Sequence, residues 1–237
     1  MMNRSSAGNG ESGTGAVVAG KRWYQTLRMA FAMLAAIAII TQFVILLDRG
    51  GRIGNFFSFF TIQSNIAAAV VLFLTGLAGV SGAGLPGWWD RLRGAATAYM
   101  ATTGIVFLVL LSGISADLQL TEPWVDTVLH QVMPVVMVLD WLIDPPATRL
   151  TFRASWIWAA YPIAYCVYSL IRGPIVDWYP YPFLDPDEAG GYLGVTAYAI
   201  AIAILFFGLV WLVVRLGSVA RVWWDSREGS PVLQDAL

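Results

Sequence analysis

Thr61 and His130 are the residues from which this chain could build nucleophilic chemistry. A threonine hydroxyl is a weak nucleophile and needs a base within hydrogen-bond reach, a task that a neutral imidazole suits. His130 is the single histidine among 237 residues. Thr61 sits in the run Ser58-Phe59-Phe60-Thr61-Ile62-Gln63-Ser64-Asn65, at the head of an apolar stretch that reaches Val80. Read as a helix, Ser58, Thr61 and Asn65 share one face. Polar groups in lipid need a protein partner or a water-filled cavity, so such a stripe marks a place for chemistry. Asp126 lies one turn before His130 on the same face, where it could orient the ring.

Further candidates surround the pair. Arg172 closes a later apolar segment, and the aromatic, proline-stiffened stretch from Asp177 to Pro186 suits a lid. Tyr179, Tyr181 and Phe183 of that stretch are candidate substrate contacts. Asn65, Gln63 or backbone N–H groups are candidate oxyanion donors. Together these parts suggest attack on an ester carbonyl, an acyl-threonine, and its hydrolysis by water that the same histidine activates. The substrate would be a membrane lipid or another acyl ester. Each residue also has a plainer reading. Thr61 could bond back to its own helix, Asp126 could serve only the helix dipole, Arg172 could snorkel to the interface, and Ser58 could be a small packing residue.

The elements that must position these residues follow from composition. The chain is 58% hydrophobic and 12% charged with a net charge of -1, which points to an integral membrane protein and away from nucleic acid. One cysteine, Cys166, excludes an intrachain disulfide and a cysteine metal cluster. One histidine excludes a bis-histidine haem or a three-histidine metal site within the chain, so neither cofactor nor metal is expected. Six apolar segments follow a polar start: Leu27–Leu47, Phe57–Val80, Ala95–Ser115, Val125–Ile143, Ala154–Ile171 and Tyr192–Val214. Each approaches the ~20 residues that a helix needs to cross a bilayer. The expected fold is all-α, a polytopic bundle of six transmembrane helices over residues 21–227. Residues 1–20 are expected to be a disordered tail, without a secretory signal, and 228–237 a polar one. No internal repeat is evident.

Of the 14 Lys and Arg residues, all but Arg49, Arg52 and Arg172 fall on the side that holds both ends. The positive-inside rule then places both termini in the cytoplasm of a multi-pass cell-membrane protein. In that topology Thr61 and His130 enter from the outer side and lie at similar depth, roughly 6–9 Å in. Asp140 lies about 15 Å deeper than His130, outside the site, where it could be neutral or could pair with Arg149 or Arg153.

Three pieces of sequence carry a resemblance. They are Phe60-Thr61 with Asn65 four residues on, His130 followed one turn later by Pro134, and Tyr179-Pro180-Tyr181-Pro182-Phe183-Leu184-Asp185. Together they resemble the androgen-induced protein and androgen-dependent TFPI-regulating protein family of small multipass membrane proteins, in its bacterial six-helix branch. The likeness spans about residues 25–215. It implies a threonine hydrolase of fatty acid esters of hydroxy fatty acids, with Thr61 as nucleophile and His130 as base. The chain departs from the animal proteins around the threonine, where it is richer in polar groups. Two other functions fit the same residues: a transporter or channel for a lipid or small apolar molecule, and a non-catalytic membrane scaffold.

Overall fold

The computed structural model of the chain describes residues 21–113 and 122–228. The expected tails, residues 1–20 and 229–237, lie outside the described residues, as does the expected end of the third segment at Ser115. Six helices are long and apolar enough to cross a membrane: α1 Arg22–Asp48, α2 Phe60–Ser81, α3 Trp89–Leu111, α4 Pro123–Ile143, α5 Phe152–Val176 and α6 Gly191–Glu228. No strand occurs among the described residues. The outward faces carry large apolar side chains: Ile163 is 59% exposed, Ile204 69% and Leu193 84%. Charged and polar groups such as Arg28, Asp140, Thr61 and His130 are buried instead. That inverted distribution is the architecture of a multi-pass membrane protein.

Local sequence explains where the helices start and stop. Pro123 opens α4 at a position where no backbone N–H is needed. Gly82, with φ +72°, ends α2 in the left-handed conformation. α2 begins at Phe60 rather than Phe57, because the chain first makes a turn, Ile53–Phe56, and Phe59 is extended. Ser58 Oγ stabilises that turn by donating to Gly54 O at 2.6 Å. Ser58 therefore lies outside the helix, and the expected stripe reduces to Thr61 and Asn65. α6 continues past Val214 because its polar end has partners. Trp224 Nε1 donates to Leu142 O, and Arg221 to the carbonyls of Pro146 and Ala147.

α1 to α4 form the compact part, with α3 the most deeply buried, packed on α2, α4 and α6. α5 is the most exposed. α6 packs against the first residues of α5, Phe152–Ala159. Farther along, between α5 and α6, an apolar cavity of about 320 Å³ separates the two.

Tyr24, Asp140 and Trp224 come together at one end of the bundle, so the described chain begins and ends on one face, here the terminal face. Just inside it, Arg28 Nε meets Asp140 Oδ1 at 2.6 Å, and Arg93 Nη2 meets Asp140 Oδ2 at 3.1 Å. Both arginines also reach Asp144, and Tyr24 donates to Asp140. Asp140 thus pairs with Arg28 and Arg93 and not with Arg149 or Arg153. The latter two follow the helix-breaking pair Pro145-Pro146, whereas Arg28 and Arg93 project inward from neighbouring helices.

Asp140→Ala leaves two buried guanidinium groups short of charge. We expect a loss of about 3 kcal/mol, since a broken buried pair strands its partner. Unfolding in detergent measures it, and Arg93→Ala in the same background should cost far less than in the wild type.

Candidate active site

Thr61 is the second residue of α2, held at the distal face by the loop that leaves α5. Its Oγ1 lies 3.2 Å from His130 Nε2 and 3.2 Å from the Tyr181 hydroxyl. Its backbone N–H, unpaired within the first turn of the helix, donates to the same Tyr181 oxygen at 3.2 Å. On the other side of the imidazole, Nδ1 faces Asp126 O at 3.2 Å. Asp126 Oδ1 is also 3.0 Å from Nδ1, but makes no aligned hydrogen bond there. The backbone carbonyl can only accept, so the proton belongs on Nδ1 and Nε2 is free to take one from Thr61. A single consistent chain of donors results: Tyr181 O–H to Thr61 Oγ1, Thr61 Oγ1–H to His130 Nε2, and His130 Nδ1–H to Asp126 O. Thr61 is 4% exposed and His130 3%.

The register of α4 depends on Pro134. Residues Val128–Val132 form a π-helical turn, in which Met133 N–H donates to Val128 O. The next carbonyl, Leu129 O, would need residue 134 as its donor, and a proline has no N–H. Asn65 fills the gap. Its Nδ2 donates to Leu129 O at 3.0 Å and to Thr61 O at 2.9 Å. One fully buried amide therefore ties the backbone at Thr61 to the backbone beside His130. α3 helps from the opposite side. Phe107 stacks on the His130 ring at 4.1 Å with an interplanar angle of 12°. Gly104 gives the room, since a Cβ there would lie 2.9 Å from Pro134.

The lid is fixed at both ends. Asp177, with φ +53°, turns the chain out of α5, and Trp178 N–H donates back to Gly173 O. The Tyr179 ring then covers Gly173 so closely that any Cβ there would overlap it. Tyr181 is buried, stacks on Phe183 at 5.0 Å and meets the Phe59 ring edge-on. Burial pushes its hydroxyl above the ordinary tyrosine range, against the hydrogen bonds from Thr61, so it stays protonated and able to donate.

Thr61, Tyr181 and Phe183 line the apolar cavity between α5 and α6, with Thr103, Cys166 and Phe206 among its other walls. His130 is not itself among the lining residues and meets that space at Thr61 Oγ1. Of the sequence candidates, Thr61, His130, Asp126, Asn65 and Tyr181 thus come together, and Phe183 joins them through the lid. Three do not reach the pair. Ser58 Oγ faces Gly54 O and the Tyr168 hydroxyl. Arg172 donates to Asn55 Oδ1 at 2.6 Å and covers the Trp178 ring. Tyr179 packs on Gly173. These three shape the turn before α2 and the lid above it.

The expected oxyanion donors also change. Asn65 spends both amide hydrogens on carbonyls, and Gln63 points outward to Phe57 O and Tyr161. The donors nearest Thr61 Oγ1 are instead the Tyr181 hydroxyl and the first turn of α2. Nothing in the sequence distinguishes Phe107 from the other phenylalanines of apolar helices, so its stack on His130 is visible only in the structure. No group of three metal-ligating side chains occurs among the described residues. Comparison with family models, with curated proteins and with solved structures finds no match.

Asn65→Leu keeps the volume and removes both donors. It should cost about 1–3 kcal/mol in detergent unfolding, the penalty for stranding a buried carbonyl. Asn65→Asp should fare no better, because a carboxylate cannot donate to Leu129 O.

Proposed function

We propose that this chain is an intramembrane threonine hydrolase that cleaves carboxylic esters of lipids. The observation that carries the reading is Thr61 Oγ1, held between His130 Nε2 and the Tyr181 hydroxyl at the edge of an apolar cavity. In the proposed reaction Thr61 Oγ1 attacks the ester carbonyl while its proton passes to His130 Nε2. The Tyr181 hydroxyl turns to the developing oxyanion, which also lies at the positive end of α2. The tetrahedral intermediate collapses, the C–O bond to the alcohol breaks, and His130 returns the proton to the leaving oxygen. Water, deprotonated by His130, then attacks the acyl-threonine, and the carboxylic acid leaves with Thr61 restored. The motif resemblance to the androgen-induced protein family points the same way.

The space between α5 and α6 suits an acyl chain arriving sideways from the lipid. A transport path is less well supported. Between Thr61 and Asp140 the interior is closed by Leu72, Met100, Met133 and Met137, all almost completely buried. We further propose that the terminal face lies in the cytoplasm and the site in the opposite leaflet. Arg28 and Arg93 are spent in buried pairs, yet Lys21, Arg22, Arg91, Arg149, Arg153, Arg215 and Arg221 still give that face its positive excess.

A fluorophosphonate probe should label the purified protein, and labelling should vanish in Thr61→Ala and His130→Ala variants that still unfold cooperatively. Tyr181→Phe should slow hydrolysis of a long-chain ester about a hundredfold, the usual cost of one oxyanion donor. The protonated state of Tyr181 predicts no alkaline decline in rate below about pH 10. Hydrolysis by Thr61→Ala at the wild-type rate would sink the reading. For topology, Asp187→Cys in a Cys166→Ala background should react with an impermeant maleimide in intact cells. Gly84→Cys should react only after lysis.

A further inference from the structure

The terminal face carries a second cavity, about 550 Å³, between α6 and the segment that joins α4 to α5. Three arginines line it: Arg149, Arg215 and Arg221. Among the described residues, none of the three has a carboxylate within ion-pair distance. That contrasts with Arg28 and Arg93, which the same end of the bundle neutralises with Asp140 and Asp144. Arg221 is fixed, since its guanidinium donates to Pro146 O and Ala147 O. Arg149 and Arg215 are exposed. The hydroxyls of Thr148, Thr151 and Ser218 share the wall, and the buried Thr148 Oγ1 has no hydrogen-bond partner. The remaining wall is apolar, formed by Leu150, Phe152, Trp211, Val214 and Val222.

The order of residues along α6 sets the level of this cavity. Trp211 and Val214 end the apolar part of the helix, Arg215 begins its polar part, and Arg221 lies about two turns on. Apolar lining therefore meets cationic lining where a hydrocarbon core gives way to headgroups. The walls do not depend on a ligand for their position. Trp141 Nε1 donates to Val213 O at 2.8 Å and Trp224 Nε1 to Leu142 O at 3.1 Å, which clamp α6 against α4.

We propose that this cavity binds one anionic phospholipid, its phosphate held by Arg149 and Arg215 and its acyl chain laid along Trp211, Val214 and Val222. Guanidinium groups pair with phosphate oxygens through two parallel hydrogen bonds, and the wall hydroxyls add uncharged donors. An apolar wall continuous with the phosphate site selects a lipid over free phosphate. The proposal is independent of the hydrolase reading, because the cavity is at the opposite end of the bundle from Thr61.

The test uses the full chain in neutral detergent, stripped of lipid and titrated with phosphatidylglycerol under native mass spectrometry. One phosphatidylglycerol should bind at least tenfold more tightly than phosphatidylcholine. The Arg149→Ala/Arg215→Ala double variant should lose about thirtyfold in affinity, the share of two interfacial cations. Arg91→Ala, an exposed arginine of the same face outside the cavity, should leave binding unchanged. The Arg149→Lys/Arg215→Lys variant should fall between the wild type and the alanine double variant, because it keeps the charge and loses the paired hydrogen bonds, which separates loss of charge from loss of fold. Equal binding of phosphatidylcholine, or wild-type affinity in the alanine double variant, overturns the proposal and leaves the arginines as general headgroup counter-ions. Displacement of phosphatidylglycerol by inorganic phosphate would overturn it in favour of a site for the free anion.

Discussion

Two hydrogen bonds from one amide hold the candidate site together. Pro134 removes the N–H that Leu129 O would otherwise find in its own helix, and Asn65 supplies the missing donor from α2. In water a spare carbonyl would be met by solvent. In a lipid-embedded interior it has to be met by protein. The proline thus creates a demand that only a side chain at the right height can meet, and the second hydrogen of that side chain holds the carbonyl of Thr61. The level and rotation of α4 relative to α2 follow from it, and with them the reach of His130 Nε2 to Thr61 Oγ1. The π-helical turn that carries His130 is the local form of the same constraint.

The bundle has two polar layers with large apolar side chains between them. At the terminal end, two arginines and two aspartates from α1, α3 and α4 close on each other. At the distal end, Thr61, His130 and Tyr181 from α2, α4 and the lid form a hydrogen-bonded chain, with the Asp126 carboxylate beside it. Leu72, Met100, Met133 and Met137 fill the space between. A buried ionic cluster is sensitive to any loss of charge balance, whereas a neutral hydrogen-bonded chain tolerates proton movement along it. The ionic layer therefore suits a structural lock, and the hydrogen-bonded chain suits proton movement.

Much of this was legible in the sequence. The six spans follow from apolar run length, and the shared level of Thr61 and His130 follows from alternating helix direction. Their contact did not, because run length gives height and not adjacency. The start of α2 was misplaced by three residues because Phe57 and Phe59 read as membrane residues, whatever their backbone does. The partners of Asp140 are not legible, because sequence proximity offers only Arg149 and Arg153, while the arginines that reach it come from α1 and α3. The role of Tyr181 was visible only as an aromatic loop. The bonds from its hydroxyl to Thr61 depend on the left-handed turn at Asp177 and the bare backbone at Gly173, neither of which is written in a hydropathy pattern.

Tyr181 gives its only proton to the hydroxyl of Thr61 and accepts the N–H of the same residue. Cover and Thr61 are therefore one unit. In the proposed reaction a dissolved ester arriving through the loop would displace it, and that displacement would withdraw Tyr181 from Thr61. A molecule sliding between α5 and α6 meets Thr61 with the loop still seated. In the proposed reaction the route of arrival itself sorts substrates, so that esters already in the bilayer reach an armed site and those in water reach a disarmed one.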